Sequence, residues 1–519
     1  MSRNSARERL FSSLETERAK PAIVFEGKTL TFGDLDDLSR RYAQGLARAG
    51  VRRGDRIAVF AETRPEIVVA LLGHYRLGAI HVPMNDRYRG EEAGHVLRDS
   101  GAKAVLVREG SSAGREAAQL AWQGEPPRRI LLGAGGGAKP ISPDLHFEDL
   151  IASSPIDTRG FVPADADTAM LVYTSGTTGR SKGVALSFRA LVANVLAQTE
   201  LWQFSARDCM ALALPLFHVH GLCLGIHGAL LHGMTTLLFE RFEAHRIIDA
   251  IGSDGATVFQ GVPTMYVRLL EELTRAPERA SVLSRARLFT SGSAALSAED
   301  FAAFERATGH RILERYGMSE TLFTLSNPFD DRRCCTVGRV NPGCEARIVD
   351  ENRGEAAAEE LGELLVRSSG MMTGYWQRPG ETASSFENGW FMTGDMARRD
   401  GDGYVTLAGR KSVDFIKSGG FKISAREIED VLRRHPAVRD VAVVGARDRV
   451  WGERVVAAVV LDPKAGAPAS EKELLDELSS FCAGFLADYK RPREVRVCEE
   501  LPRNAMGKIQ KHEIRKWLD

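Results

Sequence analysis

A loop dense in hydroxyls and glycines carries the first chemical signal in this chain. Tyr173-Thr-Ser-Gly-Thr-Thr-Gly-Arg-Ser-Lys182-Gly183 directly follows the apolar run Met170–Tyr173. Glycines let backbone N–H groups approach phosphate oxygens, hydroxyls add donors, and a lysine supplies a point charge. Thr174, Ser175, Gly176, Thr177, Thr178, Gly179 and Lys182 are therefore candidate nucleotide-phosphate contacts. The loop is not a Walker A motif. Gly176 and Lys182 have the right separation, but Ser181 stands at the second glycine and Gly183 at the Ser/Thr. A second segment, Leu214-Pro-Leu-Phe-His-Val-His-Gly221, holds His218 in an H-x-H pair. Alternate residues of a strand-like segment share a face without a metal, and no third ligand is near, so a zinc site is not expected. Glu320 is an oxygen ligand on a polar loop, suited to Mg²⁺ bridging phosphates. Lys508 lies six residues after Pro502 in a polar, Gly-containing loop; on its own it reads as a solvated lysine.

The elements around these residues follow a βαβ rhythm. Asp55–Phe60, Ala79–Pro83 and Ala104–Val107 read as strands, with helices over Pro65–Leu77 and Glu91–Ser100. The rhythm resumes after Ala169: strand Met170–Tyr173, helix Phe188–Thr199, then strands Met210–Leu214, Thr235–Leu238, Ala256–Val262 and Arg287–Ser291. Between Asn341 and Tyr404 short strands such as Ala346–Val349 and Gly362–Val366 suggest a small β-rich subdomain. Beyond Arg410 comes a compact βαβ-type unit: helix Ile423–His435, strands Val438–Gly445 and Arg454–Leu461, helix Ser470–Leu486. Ala134–Lys139 reads as a Gly-rich surface loop. The fold class is α/β. It has a large N-terminal body of parallel-sheet subdomains (1–409) with a small β-rich subdomain, and a small α+β C-terminal domain (410–519).

Composition is that of a folded, multidomain chain. The 519 residues predict two to four domains at roughly 100–200 residues each. Lys+Arg and Asp+Glu are both 69, which disfavours a nucleic-acid partner, and 44% hydrophobic residues disfavour a disordered chain. Seven cysteines, an odd number without a C-x-x-C pair, argue against a disulfide framework and fit a reducing, cytoplasmic setting. The polar N-terminus has no apolar core of a secretory signal, no run is long enough for a membrane span, and IRKWLD carries no prenylation or peroxisomal signal.

From Tyr173 to Lys508 the blocks resemble those of the adenylate-forming enzymes: acyl-CoA synthetases, amino-acid adenylation domains and luciferases. Besides the phosphate loop these are Ser291-Gly-Ser-Ala-Ala-Leu296, Arg315-Tyr-Gly-Met-Ser-Glu-Thr321, Gly374-Tyr-Trp, Trp390-Phe-Met-Thr-Gly-Asp395, Gly403-Tyr-Val, Gly409-Arg410, Ser418-Gly-Gly-Phe-Lys-Ile423 and Pro502-Arg-Asn-Ala-Met-Gly-Lys508. The resemblance implies two half-reactions. A carboxylate attacks the α-phosphate of ATP to give acyl-AMP and pyrophosphate, and a thiol, that of coenzyme A, then displaces AMP. It implies Gly292, Ser293 and Ala294 at the adenine edge, Tyr316 on its face with Gly317 and Met318 beside it, and Thr321 at the α-phosphate. It also implies Asp395 on the ribose hydroxyls and Arg410 on ribose or phosphate, an interdomain salt bridge being the alternative for Arg410. Lys508 would bridge carboxylate and α-phosphate, delivered by a mobile C-terminal domain. Ser418, Gly419, Gly420 and Lys422 would replace it in the thiolation state, lining a pantetheine tunnel. The pivot falls between Lys411 and Asp414, where the spacing is one residue longer than is usual in the family.

For the acid, His218 stands where amino-acid adenylation domains carry an acidic residue, which argues against amino acids. Arg241, after the strand Thr235–Phe239, and Arg315, before Tyr316, are candidates to hold a second substrate carboxylate bidentately. The alternative is that Arg241 pairs with Glu240 or Glu243 on the surface, and Arg315 with Glu314. The whole pattern resembles synthetases for malonate and methylmalonate. A ligase for a fatty or aryl monocarboxylate, and an acyl-AMP donor to a carrier protein, are the competing expectations. The expected partners are a small carboxylic acid, ATP, Mg²⁺ and coenzyme A, acting on a monomer or homodimer.

Overall fold

The computed structural model describes residues 5–119, 126–133, 144–155, 164–174, 181–410, 414–418, 421–463, 470–504 and 507–518. The Gly-rich loop at 134–139, the phosphate-loop candidates Ser175–Gly179, the pivot residues 411–413, and Gly419 and Gly420 lie outside these. The chain forms two compact units. One comprises Met1–Cys334, Gly338–Glu345 and Arg367–Phe386; the other Cys335–Val337, Ala346–Val366 and Glu387–Asp519. The β-rich stretch around 346–366 and 387–410 thus groups with the C-terminal segment.

The first unit holds two large sheets. In the eight-stranded one, Ile80–Pro83, Arg56–Phe60, Ala104–Arg108 and Arg128–Leu132 run parallel. The hairpin Thr168–Thr174/Lys182–Ser187 and the short strand Gly374–Tyr375 complete one edge. In the nine-stranded sheet the parallel core is Thr235–Leu238, Cys209–Leu212, Val258–Gly261, Leu288–Ser291 and Leu313–Met318. Parallel strands are covered on both faces, so they read as continuous apolar runs rather than alternating ones. The helix Pro65–Leu77 shows why it forms where expected. Proline sits in its first turn, Gly78 closes it in the left-handed conformation at φ 64°, and every residue from Ile67 to Leu77 is buried. Ser187 caps the helix Phe188–Trp202, its Oγ accepting from the Ala190 N–H at 3.2 Å, and the helix runs past the expected Thr199.

The second unit contains the antiparallel strands Trp390–Arg399 and Val405–Arg410 and, as far as Val366, the strand that begins at Gly362. Its C-terminal part is built on a long hairpin, Val438–Asp448 with Gly452–Leu461. These two strands were expected in a βαβ-type unit, but they pair antiparallel. Only residues 449–451 separate them, with the Asp448 carboxylate accepting from the Val450 and Trp451 N–H groups, and so short a turn cannot make a parallel crossover. Both faces are buried: Val441, Val443, Val455 and Val459 point to one core, Ala442, Val444, Val456 and Val460 to another. Burying each such valine contributes about 1.5–3 kcal/mol. The expected helix Ile423–His435 is shorter, Ala425–Leu432, because Phe421–Ser424 is a strand and Ser424 caps the helix.

Candidate active site

In the first unit the site residues gather at the carboxyl ends of the parallel strands, where open α/β sheets place ligands. The strands Leu313–Met318 and Leu322–Ser326 form a hairpin turned by Ser319, Glu320 and Thr321. A tip this tight requires Gly317: a Cβ there would meet the Leu322 carbonyl oxygen at 1.7 Å, and Leu322 itself takes φ 52°. Hairpin tips are normally solvated, yet Ser319, Glu320 and Thr321 are all buried. Glu320 accepts from the Tyr375 hydroxyl at 3.0 Å, and its backbone carbonyl accepts from Met372 N–H at 2.8 Å. The buried Thr321 hydroxyl has no hydrogen-bond partner among the described residues, as a donor awaiting a ligand oxygen would be. Tyr316, two residues before Met318, is buried with its hydroxyl on the Met318 sulfur at 3.7 Å.

The parallel neighbour of this hairpin, Leu288–Ser291, delivers Gly292, Ser293 and Ala294. Ser293 holds φ 70°, a costly conformation for a residue with a side chain and one that clusters at ligand sites. Its Oγ lies 3.3 Å from His220 Nδ1. Gly292 is required by Arg315: a Cβ would sit 2.6 Å from the guanidinium carbon. Arg315 is buried, and its Nε and Nη2 have no partner among the described residues. Burial pulls its pKa down to about 9. The expected alternative, a pair with Glu314, is not formed. Glu314 instead accepts from the Leu296 N–H at 3.3 Å.

The expected strand through the H-x-H pair is not there. After Leu212 the chain loops through His218 and enters a π-helical segment, His220–His227. Gly221 makes this possible, since a Cβ would lie 2.5 Å from the Pro215 carbonyl oxygen. His218 Nδ1 accepts from the His220 N–H at 3.1 Å. Burial, and then the Arg315 charge, lower His218 to about 4, and the same causes take His220 well below its ordinary value. Both imidazoles are therefore neutral beside a cationic arginine. The buried His220 Nε2 also lacks a described partner. His220 was not among the expected site residues; its i+2 spacing from His218 was visible, but not its meeting with Ser293.

Arg241 is in a different setting. Its side chain is 80% exposed, and its Nε donates to Glu243 at 2.8 Å. It lies just past the strand Thr235–Leu238. Thr174 ends its strand opposite Lys182. Lys182 pairs with Glu381 and lies 5.2 Å from the Tyr375 ring centre.

Within the second unit Asp395 and Arg410 are opposite one another in neighbouring strands and form an ion pair at 3.0 Å. Lys508 belongs to the same electrostatic cluster. Its side chain is exposed, yet the surrounding protein lowers its pKa, by desolvation first and by Arg410 next, against Asp395 and Asp414, with Lys511 lowering it further. The Ser418 hydroxyl is buried without a described partner. Lys422 lies in the strand Phe421–Ser424.

Residues 10–376 match the AMP-binding enzyme family, and residues 427–508 match the AMP-binding enzyme C-terminal domain. The chain belongs to the AMP-binding enzyme family. It is 33% identical to the malonate–CoA ligase of Arabidopsis thaliana, over 98% of this chain and 88% of that protein. It is 34% identical to the indoleacetate–CoA ligase of Aromatoleum aromaticum, over 97% and 96%. The ATP-bound structure of MatB from Rhodopseudomonas palustris superposes with a TM-score of 0.87 at 33% identity, covering 99% of this chain and 98% of that one.

Proposed function

We propose that Arg315 holds the distal carboxylate of a short dicarboxylate, such as malonate or methylmalonate, while this enzyme joins the other carboxylate to coenzyme A. The enzyme is an AMP-forming acid–thiol ligase that uses ATP and coenzyme A as co-substrates. One carboxylate oxygen of the acid attacks the α-phosphorus, and pyrophosphate leaves with the electron pair of the broken P–O bond. The thiol sulfur then attacks the acyl carbon, loses its proton, and AMP leaves. Such chemistry needs charge stabilisation and alignment more than covalent help from the protein.

The roles follow from the side chains. Lys508 supplies a cation to the carboxylate and α-phosphate during adenylation. Thr321 donates its unpaired hydroxyl to the α-phosphate. Tyr316 stacks on adenine, with Gly317, Met318 and Gly292–Ala294 at its edges, and Asp395 accepts from the ribose hydroxyls beside Arg410. Glu320, a buried carboxylate steadied by Tyr375, has the donor chemistry Mg²⁺ selects, one carboxylate completed by phosphate oxygens. The metal would neutralise phosphate charge there. The segment 410–519 turns between the half-reactions, bringing Ser418 to Lys422 to the thiol path. Among the described residues no helix is long and apolar enough to cross a membrane. We place the enzyme in the cytosol, as a monomer or homodimer.

The observation that carries the dicarboxylate reading is Arg315: a buried guanidinium whose Nε and Nη2 have no partner among the described residues, beside two neutral histidines. A second substrate carboxylate satisfies both sites and restores the pairing that a buried charge requires. Pyrophosphate release with a panel of mono- and dicarboxylates, with and without coenzyme A, tests it. Malonate or methylmalonate should lead the panel. If butyrate or an aryl acetate leads, the substrate reading is wrong and the ligase reading stands.

A further inference from the structure

Three residues beyond Lys508, the first residue of the helix Lys511–Lys516 is a lysine with almost no surface, 8% exposed. Its Nζ donates to Asp414 Oδ1 at 2.6 Å and to Glu429 Oε1 at 2.8 Å. Burial alone would lower its pKa, but the Glu429 and Asp414 carboxylates outweigh burial and raise it, so Lys511 is a cation.

Each partner ties a different piece of the unit to this ammonium. Asp414 follows the proposed pivot and is bonded back to Arg410. Its Oδ2 accepts from the Arg410 N–H at 2.9 Å, and its own N–H donates to the Arg410 carbonyl at 2.8 Å. A Cβ on Gly409 would lie 2.6 Å from the Asp414 Cβ. Its carbonyl accepts from the Ala425 N–H at 2.8 Å, which seats the helix Ala425–Leu432 on it. Glu429, on that helix, also accepts from the Val443 N–H at 2.7 Å and so reaches the central hairpin.

The Lys508 loop is closed on itself just before Lys511. Asn504 Oδ1 accepts from the Lys508 N–H at 3.0 Å, the Asn504 N–H donates to the Lys508 carbonyl at 2.9 Å, and the Gln510 N–H donates to the Pro502 carbonyl at 2.8 Å. Among the described residues, Lys511 links the end of this loop both to Asp414 and to the helix Ala425–Leu432. We infer that Lys511 is a positioning residue for Lys508: its double ion pair fixes the Lys508 loop to Asp414 and to the helix Ala425–Leu432, so that loop and helix move as one body. The inference rests on the proposed role of Lys508 in adenylation.

A buried cation between two carboxylates is costly to remove, because both lose their partner. Lys511→Met is the direct variant, and Glu429→Gln/Lys511→Met relieves the repulsion it leaves behind. Both are compared with wild type and Lys508→Ala in two assays, acid-dependent pyrophosphate release and conversion of supplied acyl-AMP to thioester, with melting temperature read in parallel. In whichever of the two Lys511 variants melts as a folded protein, pyrophosphate release should fall at least tenfold at saturating acid and ATP. Thioester formation should stay within twofold, and KM for ATP should change little. Unchanged pyrophosphate release, or an equal fall in both assays, would overturn the positioning role. If Lys508→Ala itself fails to separate the two assays, the fault lies in the proposed adenylation role of Lys508 and not in Lys511. The alkaline limb of pyrophosphate release gives a reading that a merely structural role would not move. Removing the Lys511 charge leaves Lys508 facing Arg410, Asp395 and Asp414 with one cation fewer, so the limb should shift to higher pH.

Discussion

Two carboxylate-binding candidates of the same residue type, Arg241 and Arg315, end in opposite environments. Arg241 spends its charge on Glu243 in solvent, where ion pairs contribute little, whereas Arg315 is enclosed, its Nε and Nη2 without a partner among the described residues. Arg241→Ala should therefore leave the acid preference and kcat/KM for malonate within about twofold, since exposed substitutions perturb little. A large fall measured by initial rates would place Arg241 at the substrate after all. Glu320 makes a complementary prediction. Glu320→Gln keeps the shape and the Tyr375 contact but removes one charge from the oxygen set offered to Mg²⁺. The magnesium concentration at half-maximal rate should rise about tenfold or more, and an unchanged titration would limit Glu320 to holding the hairpin tip. The Ser293 conformation could not be read from residue type, because serine at φ 70° is exceptional, and neither its contact with His220 nor the Arg315 guanidinium beside Gly292 has a local signature.

Elements with a strong local signature were legible. Pro65–Leu77 carries its start and stop in Pro65 and Gly78, and Thr235–Leu238 is a run of β-branched and apolar residues between turns. Where tertiary packing decides, the sequence was silent. The segment after Leu212 has alternating polarity, yet close approach at Gly221 makes it a loop and a π-helical segment. Val438–Leu461 showed two strands but not their direction, which the short turn after Asp448 decides. The helix Pro65–Leu77 and this π-helical segment also enclose a buried polar group. His74 Nδ1 lies 3.0 Å from His81 Nδ1, and the Tyr75 hydroxyl lies 3.1 Å from His227 Nε2. Burial lowers His74 and His227 from 6.5 to about 3, and takes His81 well below 6.5 with His74 and His227 adding to it. These histidines are neutral in the fold and bind protons more readily when unfolded. Their contribution is fully present above about pH 6.5 and is lost as pH falls toward 3. Unfolding free energy measured by denaturant between pH 5 and 6.5 should rise with pH, and His227→Asn should reduce that slope by about one proton. A slope unchanged by the substitution would mean that His227 is already protonated in the fold.

At the scale of the whole chain, the order of the motif blocks made the family and its chemistry legible, because nucleotide contacts are made by short loops whose glycines and hydroxyls survive as local patterns. The acid was not legible in the same way, since a pocket is assembled from distant segments: Gly292, Arg315 and His220 meet only in the folded nine-stranded sheet and its loops. The central claim joins the two, an adenylate-forming ligase whose acid is chosen by one buried arginine. Its most direct test is the ratio of kcat/KM for malonate over butyrate in wild type and in Arg315→Met. Wild type should prefer malonate. Breaking a buried charge pair costs about 3–5 kcal/mol, so the variant should lose roughly a hundredfold to a few thousandfold of that preference while butyrate turnover holds or rises. A wild type that prefers butyrate, or a variant that keeps the malonate preference, would contradict the account.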